Sequence, residues 1–562
     1  MFLPTTREEM KDLSYAKMDI IIITGDTYID SSFCGAAVVG RVLQAAGYKV
    51  GIIAQPDIDN EKDITKMGEP ELFWGVTAGS VDSMVANYTA LKKKRKKDDF
   101  TPGGLNTKRP DRATIVYSNL IRKYFKKTKP IILGGIEASL RRIAHYDYWE
   151  DRIRRSILFD TKADILVYGM GEKAILALAN SLKNKQDWRN IRGICYISSS
   201  PVNNYKLLPS YEEVKEDKNK FMVMFHTFYQ NNDPLTAQGL CQKHGNRYLI
   251  QNLPTLPLTP KEMDIIYALP YEREVHPFYK KEGEVEALKT IKFSITTHRG
   301  CYGECNFCSI AVHQGKWIQQ RSEESICQEA KLLTHLRDFK GYILDVGGPT
   351  ANMYGIDCPK RIKSGSCQGK RCLYPKPCLN LKLKHQRQIK LLQKIRKIKG
   401  IKRVFVASGI RYDILLNDLK FGGQYLRELI KYHISGQLKI APEHINSKIL
   451  EKMGKPNQGY LKRFKDEFFR INREEKKKQF LTYYLIAAHP GCQERDMYQL
   501  KEYVKRELKI LPEQVQIFTP LPSTYSALMY YIEQDPFTGE ALYVEKDLKK
   551  KLKQKNIILE RY

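Results

Sequence analysis

The chain has 562 residues, 42% of them hydrophobic, with 34 tyrosines and 21 phenylalanines, a globular composition long enough for several domains that excludes wholesale disorder. No stretch reaches the ~18 uninterrupted apolar residues of a membrane span, and the start, MFLPTTREEMKDL, lacks the basic-then-apolar pattern of a leader, so we expect a cytoplasmic protein with no membrane partner. Twelve cysteines are too few for a disulfide scaffold, while a net charge of +31 admits a polyanionic partner such as nucleic acid, although no recognition motif accompanies it.

Residues 18–55 predict strand, loop, helix, strand: MDIIIITGD, an amphipathic helix with Ala37, Val38, Val42, Leu43 and Ala46 on one face, a stop at Gly47, and YKVGIIAQP. This is a βαβ unit, and the loop Gly25 to Ser32 lies where an open α/β sheet meets its ligands. Further strands at Lys129–Leu133 and Asp164–Tyr168 run into glycines. The sum is a doubly wound, Rossmann-like α/β domain over residues 1–215. Within it KKKRKK, residues 92–97, reads as a solvated basic loop. The stretch GGIEASLRRIAHYDYWEDRIRRS crowds Glu137, Arg141, Arg142, His145 and Tyr148 past a strand end. Two readings stay open there: a polar substrate surface with Arg141 and His145 as candidate catalytic groups, or a structural ion-pair network. Residues 216–290 have no sustained period and five prolines in QNLPTLPLTPKEM and ALPYEREVHPFY, which predicts a wrapping linker.

From 291 to 525 strands and helices alternate. FSITTH leads into a glycine turn; a helix from about Glu323, capped by Ser322, carries Ile326, Ala330, Leu333 and Leu336; GYILDV runs into Gly347. A helix Gln386–Lys399 leads to KRVFVA, and QLKIA, QFLTYYLIAA and EQVQIFT follow. Six strands, each chased by a helix and ending in polar or glycine motifs, predict a partial parallel (β/α)6 barrel with its chemistry at the carboxyl ends. Residues 526–562 read as a C-terminal basic extension.

The loop after the first barrel strand is HRGCYGECNFCSI, with Cys301, Cys305 and Cys308. Three is the informative number, because a closed zinc site and a fully ligated [4Fe-4S] cube both want four ligands. A cube held by three cysteines leaves one iron open to a small chelating ligand; a zinc knuckle or free thiols are the plainer readings. A second set, Cys358, Cys367, Cys372 and Cys378, forms an insertion at 358–378 and is large enough to close a tetrahedral site. Zinc and an auxiliary iron-sulfur cluster both fit it, with zinc preferred because four ligands leave no open position.

The triplet spacing Cys-x-x-x-Cys-x-x-Cys resembles the signature of the radical S-adenosylmethionine (SAM) superfamily. Over nearly its whole length the chain resembles the YgiQ family within it, through VGIIAQP, TPGG, GGIEASLRRIAHYDYW, GMGE, HRGCYGECNFCSI, GGPTANMYG, SGIRYD, APEH, HPG, EQVQIFTPLP and DPFTG in that order. The resemblance implies a barrel behind an N-terminal domain similar to cobalamin-binding folds. It implies a [4Fe-4S] cluster on Cys301, Cys305 and Cys308, reductive cleavage of SAM to a 5′-deoxyadenosyl radical, and hydrogen abstraction from a substrate it does not name. A reductant such as flavodoxin or ferredoxin is implied as partner. Phe307 would meet the adenine through its backbone and Gly347, Gly348, Pro349 and Thr350 would face the SAM amino group, with Arg411, Glu443 and His489 as candidate SAM or substrate contacts. The resemblance also matches all four cysteines of the second set. A histidine-ligated cobalamin is unsupported, because the first loop reads IDSSFCG and no Asp-x-His-x-x-Gly is present. The alternative function is a non-catalytic iron-sulfur or zinc protein binding RNA or another polyanion.

Overall fold

The computed structural model describes residues 1–560, which divide into two compact units: Met1–Pro257 with Ile265–Lys292, and Leu258–Asp264 with Phe293 onward. In the first unit, β1 (Ile20–Thr24), β2 (Val50–Ala54), β3 (Phe73–Thr77), β4 (Ile131–Leu133) and β7 (Ile165–Val167) pair in parallel in the order 2-1-3-4-7. Every residue of β1, β2 and β4 is buried, as a sheet covered on both faces requires. β5 (His145–Asp147) and β6 (Arg152–Arg154) form a separate antiparallel hairpin. β8 (Ile194–Ser198), β11 (Arg247–Gln251), β10 (Leu240–His244) and β9 (Lys206–Leu208) extend the sheet to nine strands, with antiparallel pairing between β7 and β8, β8 and β11, and β11 and β10.

That extension corrects the expected boundary at 215 and the linker at 216–290. Asp217 accepts from Asn219 N and Lys220 N to cap a 13-residue helix, Lys218–Gln230. β10 and β11 then complete the sheet, and Val275, Tyr279 and Val285 return to the unit's core. The signal was weak because the apolar runs are short, Leu240–Cys241 in LCQKH and Tyr248–Ile250 in RYLIQ, and neither alternates over the four or more residues that mark a strand.

The charged stretch at 134–156 is largely a structural network of this unit. Arg141 is buried against Asp82. Glu137 accepts from Ser83 N at 2.8 Å and Thr114 N at 3.1 Å, and Arg142 donates to Gln251 Oε1 at 3.0 Å with its guanidinium over Tyr168 and Phe228. His145 is buried with Nδ1 3.0 Å from Ile143 O, and burial pushes its pKa down to about 4. Of the two candidate catalytic groups, Arg141 is engaged inside the unit, where a neutralised guanidinium is not offered to a ligand, while His145 Nε2 is buried without a hydrogen-bond partner among the described residues. Burial pushes the Asp147 carboxyl up, but two bonds from Arg112 and the charges of Arg112 and Arg141 outweigh it and hold it well below the usual range. A carboxylate with a depressed folded pKa stabilises the fold above its unfolded pKa and loses that contribution as pH falls through the folded value. Asp147→Asn is thus expected to lower stability at neutral pH and flatten the acid limb of denaturation below about pH 4; an acid limb unchanged from the parent chain would contradict this.

In the second unit, β12 (Ser294–Thr296) pairs in parallel with β16 (Asp345–Gly347), and β15 (Tyr342–Ile343) with β17 (Arg403–Val404). β18 (Gln437–Glu443), β19 (Phe480–Ala487) and β20 (Gln514–Ile517) form a parallel triple. Backbone bonds from Val346 N to Phe405 O and from Ile410 N to Lys439 O join these pieces, so the barrel strands follow one another in chain order around an open arc. The short antiparallel pair β13 (His298–Arg299) and β14 (Gln319–Gln320) brackets the cysteine loop. The helix Glu323–Thr334 forms as expected, with Ser322 accepting from Ser325 N and Ile326, Ala330 and Leu333 in the core. The C-terminal extension is part of this unit rather than an appendage: helix Leu548–Leu559 puts Ile557 and Ile558 into the barrel core, and buried Lys551 Nζ donates to Tyr530 OH at 2.8 Å.

Candidate functional site

The carboxyl ends of the barrel strands bring the cysteine triplet to Thr350 and Arg411. β13 delivers the chain into Gly300, whose φ is +85° and whose added Cβ would stand 1.8 Å from Trp317 O, so only glycine makes this turn. Cys301, Cys305 and Cys308 follow on a tight loop: Gly303 N–H donates to Cys301 Sγ at 3.3 Å and Cys308 N donates to Cys305 O at 3.0 Å. Burial pushes the Cys308 thiol up to about 12, with Cys305 as the next largest cause, and raises Cys301 in the same way. Thiolates at that depth need a positive centre to form. Among the described residues no three Cys, His, Asp or Glu side chains converge as a single ion demands. A cube does not demand it, because each cysteine binds a different iron.

Gly347 to Thr350 close one side of the loop. An added Cβ on Gly348 would lie 2.7 Å from His298 Cε1, so a side chain there would push the strand end away. Thr350 Oγ1 stands 3.6 Å from Cys301 Sγ. Asp345 carries the neighbouring turn by accepting from Ala407 N at 2.8 Å and Ser408 N at 3.1 Å. Asn352 then clamps Arg411, its Oδ1 accepting from Arg411 N at 2.8 Å and its Nδ2 donating to Arg411 O at 2.9 Å. The Arg411 guanidinium is buried, bonded to both oxygens of Asp413 at 3.0 and 2.5 Å, with Nη1 3.5 Å from Cys305 Sγ.

Glu443 sits at a bulge in the β18–β19 pairing with φ +66°, an uncommon conformation for a side-chain-bearing residue. Burial raises its pKa, opposed by Lys455 at 3.7 Å and by Arg411. His489 is different in kind. Its Nδ1 lies 2.9 Å from Pro490 O and its Nε2 2.7 Å from Ser526 Oγ, it is fully buried, and burial pushes its pKa down to about 4. Both nitrogens are occupied, and the ring stands edge-on to Phe307 at 6.4 Å, between the cysteine loop and helix Tyr525–Ile532. Asp345, Asn352, Asp413 and Lys455 were not anticipated. Asp413 could have been, since it stands two residues after Arg411 in SGIRYD.

The second cysteine set is only partly assembled. Cys358 and Cys372 belong to an apolar cluster with Tyr302, Met353 and Leu373, against which Cys301 and Cys378 pack; Cys367 lies outside it. Arg361 Nη2 donates to Cys372 Sγ at 3.1 Å. Among the described residues these four thiols do not converge on one position.

Gly300→Ala adds left-handed strain of about 1–2 kcal/mol to the clash with Trp317 O. We expect it to remove iron from reconstituted protein while far-ultraviolet circular dichroism stays near the parent's. Full iron loading in the variant would show that the turn is not needed.

No helix among the described residues is long and apolar enough to cross a membrane. The Radical SAM N-terminal family model matches residues 2–294, ending before the cysteine loop. The chain is 59% identical to a UPF0313 protein of Fusobacterium nucleatum over 561 residues, covering 100% of this chain and 99% of that one. It is 50% identical to a UPF0313 protein of Thermotoga neapolitana, covering 100% and 98%, and 47% identical to one of Clostridium botulinum, covering 99% and 87%. Among solved structures it resembles the radical SAM methyltransferase TsrM of Kitasatospora setae with cobalamin and a [4Fe-4S] cluster bound, at TM-score 0.50 and 13% identity over 92% of this chain and 74% of that one. The cobalamin-dependent SAM radical enzyme OxsB with aqua-cobalamin bound matches at TM-score 0.50 and 11% identity, over 95% and 58%. Those two likenesses speak to the fold, a Rossmann-like sheet with a partial barrel. The relatives matched from end to end place the whole chain in the UPF0313, or YgiQ, family of radical SAM proteins.

Proposed function

We propose that this protein is a radical SAM enzyme acting by hydrogen abstraction on a substrate that its site alone does not name. The observation that carries the reading is the half-buried three-cysteine loop with the guanidinium of Arg411 beside it and Thr350 on its flank. When bound at Cys301, Cys305 and Cys308, a [4Fe-4S] cluster with SAM on its open iron would supply one-electron cleavage of the sulfonium and a 5′-deoxyadenosyl radical. Gly347 to Thr350 and the backbone of Phe307 would hold SAM. Arg411, fixed by Asp413 and Asn352, keeps a positive charge against the thiolates and excludes water from that wall. Glu443, its carboxyl raised by burial and 3.7 Å from Lys455 on a left-handed backbone, is the group we assign to acid-base work there. An external one-electron donor such as a flavodoxin or ferredoxin is part of the proposal. A histidine-ligated cobalamin is not: no histidine lies between 25 and 35, and Asp26 and Asp30 pair with Arg109 and Arg41.

The test is anaerobic reconstitution followed by reduced electron paramagnetic resonance spectra with and without SAM, and assay of 5′-deoxyadenosine. An unperturbed spectrum in fully loaded protein, with no 5′-deoxyadenosine, would sink the proposal. A second metal on the 358–378 set is proposed as separable: Cys358→Ala with Cys372→Ala should lower total metal without loss of 5′-deoxyadenosine, whereas loss of cleavage in folded protein would point to an auxiliary redox cluster.

A further inference from the structure

Residues 358–385 contain eight Lys and Arg and no Asp or Glu. The two arginines are tied down. Arg361 bonds Lys316 O and Cys372 Sγ beneath Tyr302, and Arg371 donates to Glu304 O at 3.3 Å and lies over Tyr525 and Phe537. The six lysines, Lys360, Lys363, Lys370, Lys376, Lys382 and Lys384, are all exposed, and among the described residues none has a carboxylate partner. On the same unit some surface lysines are paired, as Lys394 is with Glu323 and Lys546 with Glu533, and others such as Lys477 are not, so what marks the insertion is six exposed lysines with no Asp or Glu in the segment. Two large aliphatic side chains stand in the same segment, Ile362 at 59% and Leu379 at 95% exposure. Directly under it lies the cluster of Tyr302, Cys358 and Cys372 against which Cys301 of the thiolate loop packs.

We propose that the insertion 358–385 is the docking face for an acidic one-electron carrier protein, which delivers reducing equivalents to the centre held by Cys301, Cys305 and Cys308. The inference rests on the function proposed above. Unpaired like charges without local compensation cost the free chain stability and are explained by a partner of opposite charge. Lysines flanking isolated aliphatic residues suit the small, weak interfaces of electron-transfer complexes. A single-stranded nucleic acid would favour free arginines and stacking aromatics, and here Arg361 is buried and Arg371 is already stacked over Tyr525 and Phe537. A recess of about 480 Å³ opens beside the lysines, with Lys370, Lys376 and Leu379 on the insertion side and Glu451, Lys452 and Asp535 on the other, and its insertion side gives the carrier's rim a seat. In the step itself the carrier is oxidised by one electron and the thiolate-bound centre is reduced by one; no atom or proton is transferred.

The experiment uses the full reconstituted chain, a patch variant (Lys363→Glu, Lys376→Glu, Lys382→Glu) and a control variant of equal charge change at other exposed lysines (Lys477→Glu, Lys478→Glu, Lys549→Glu). Binding of an acidic FMN flavodoxin is measured calorimetrically, and reduction of the iron centre is followed by its visible absorbance with reduced flavodoxin or with titanium(III) citrate. The patch variant should bind flavodoxin at least about tenfold more weakly and be reduced by it correspondingly more slowly. The parent's binding should weaken steeply with salt, and titanium should reduce all three proteins alike. Equal behaviour of patch and control variants, or no binding to the parent, overturns the docking face. Binding of a single-stranded RNA oligonucleotide through the same lysines, with no flavodoxin binding, overturns it in favour of nucleic acid. Failure of titanium to reduce any centre counts against the proposed function instead, and the calorimetry still decides the docking face.

Discussion

Cys305→Ala is expected to abolish 5′-deoxyadenosine formation and to reduce the iron bound per reconstituted chain to near background. Cys195→Ala, in a buried thiol of the first unit, should leave both unchanged. The contrast follows from what surrounds each sulfur. Cys195 is pushed up to about 12 by burial, with only Arg142 opposing it, and no second thiol belongs to its surroundings. It is a small apolar side chain in a core. Cys305 faces the Arg411 guanidinium and is the largest charged influence on both Cys301 and Cys308. Removing it takes away the middle ligand of three, and two thiolates cannot hold a cube whose fourth iron is already open. Cys301→Ala and Cys308→Ala should repeat the result. Wild-type iron and cleavage in any of these variants would refute the assignment of the triplet as the cluster site.

The barrel was legible because its strands announce themselves. QFLTYYLIAA and GYILDV are apolar or β-branched runs between polar helices, and the glycine-rich or polar motifs at their ends match the points where β16, β18 and β19 stop. The cysteine loop was legible for the same reason, as its spacing is local and so needs no knowledge of the fold. What escaped the sequence depends on contacts between distant residues. Asn352 meets Arg411 across 59 residues, and Asp26 and Arg109 pair across 83. Neither has a local pattern. The segment 216–290 was misread because its strands sit at the mixed edge of the sheet, where the apolar runs are short and proline separates the pieces. The resemblance implies a SAM or substrate contact for His489, and the sequence carries no sign that its two nitrogens meet Pro490 O and Ser526 Oγ.

The Arg411–Asp413 pair separates stability from chemistry. Both residues are buried, 8% and 1% exposed, so each charge is stripped of water and depends on the other. Asp413→Ala leaves the guanidinium unpaired beside the thiolate loop, and breaking a buried pair from one side costs about 3–5 kcal/mol. Denaturation of the variant should register that loss in the second unit. Replacing both partners with apolar residues of similar size, Arg411→Met with Asp413→Leu, removes both desolvation costs along with the attraction and is expected to return stability to within about 1–2 kcal/mol of the parent. Cleavage of SAM should not return with it. The guanidinium is the one positive group bonded within reach of Cys305 Sγ among the described contacts, and methionine supplies neither its charge nor its donors. The decisive comparison is therefore the double variant: a stable chain that binds iron but forms little 5′-deoxyadenosine assigns Arg411 to the reaction. A stable chain with parental cleavage reduces the pair to a structural ion bridge.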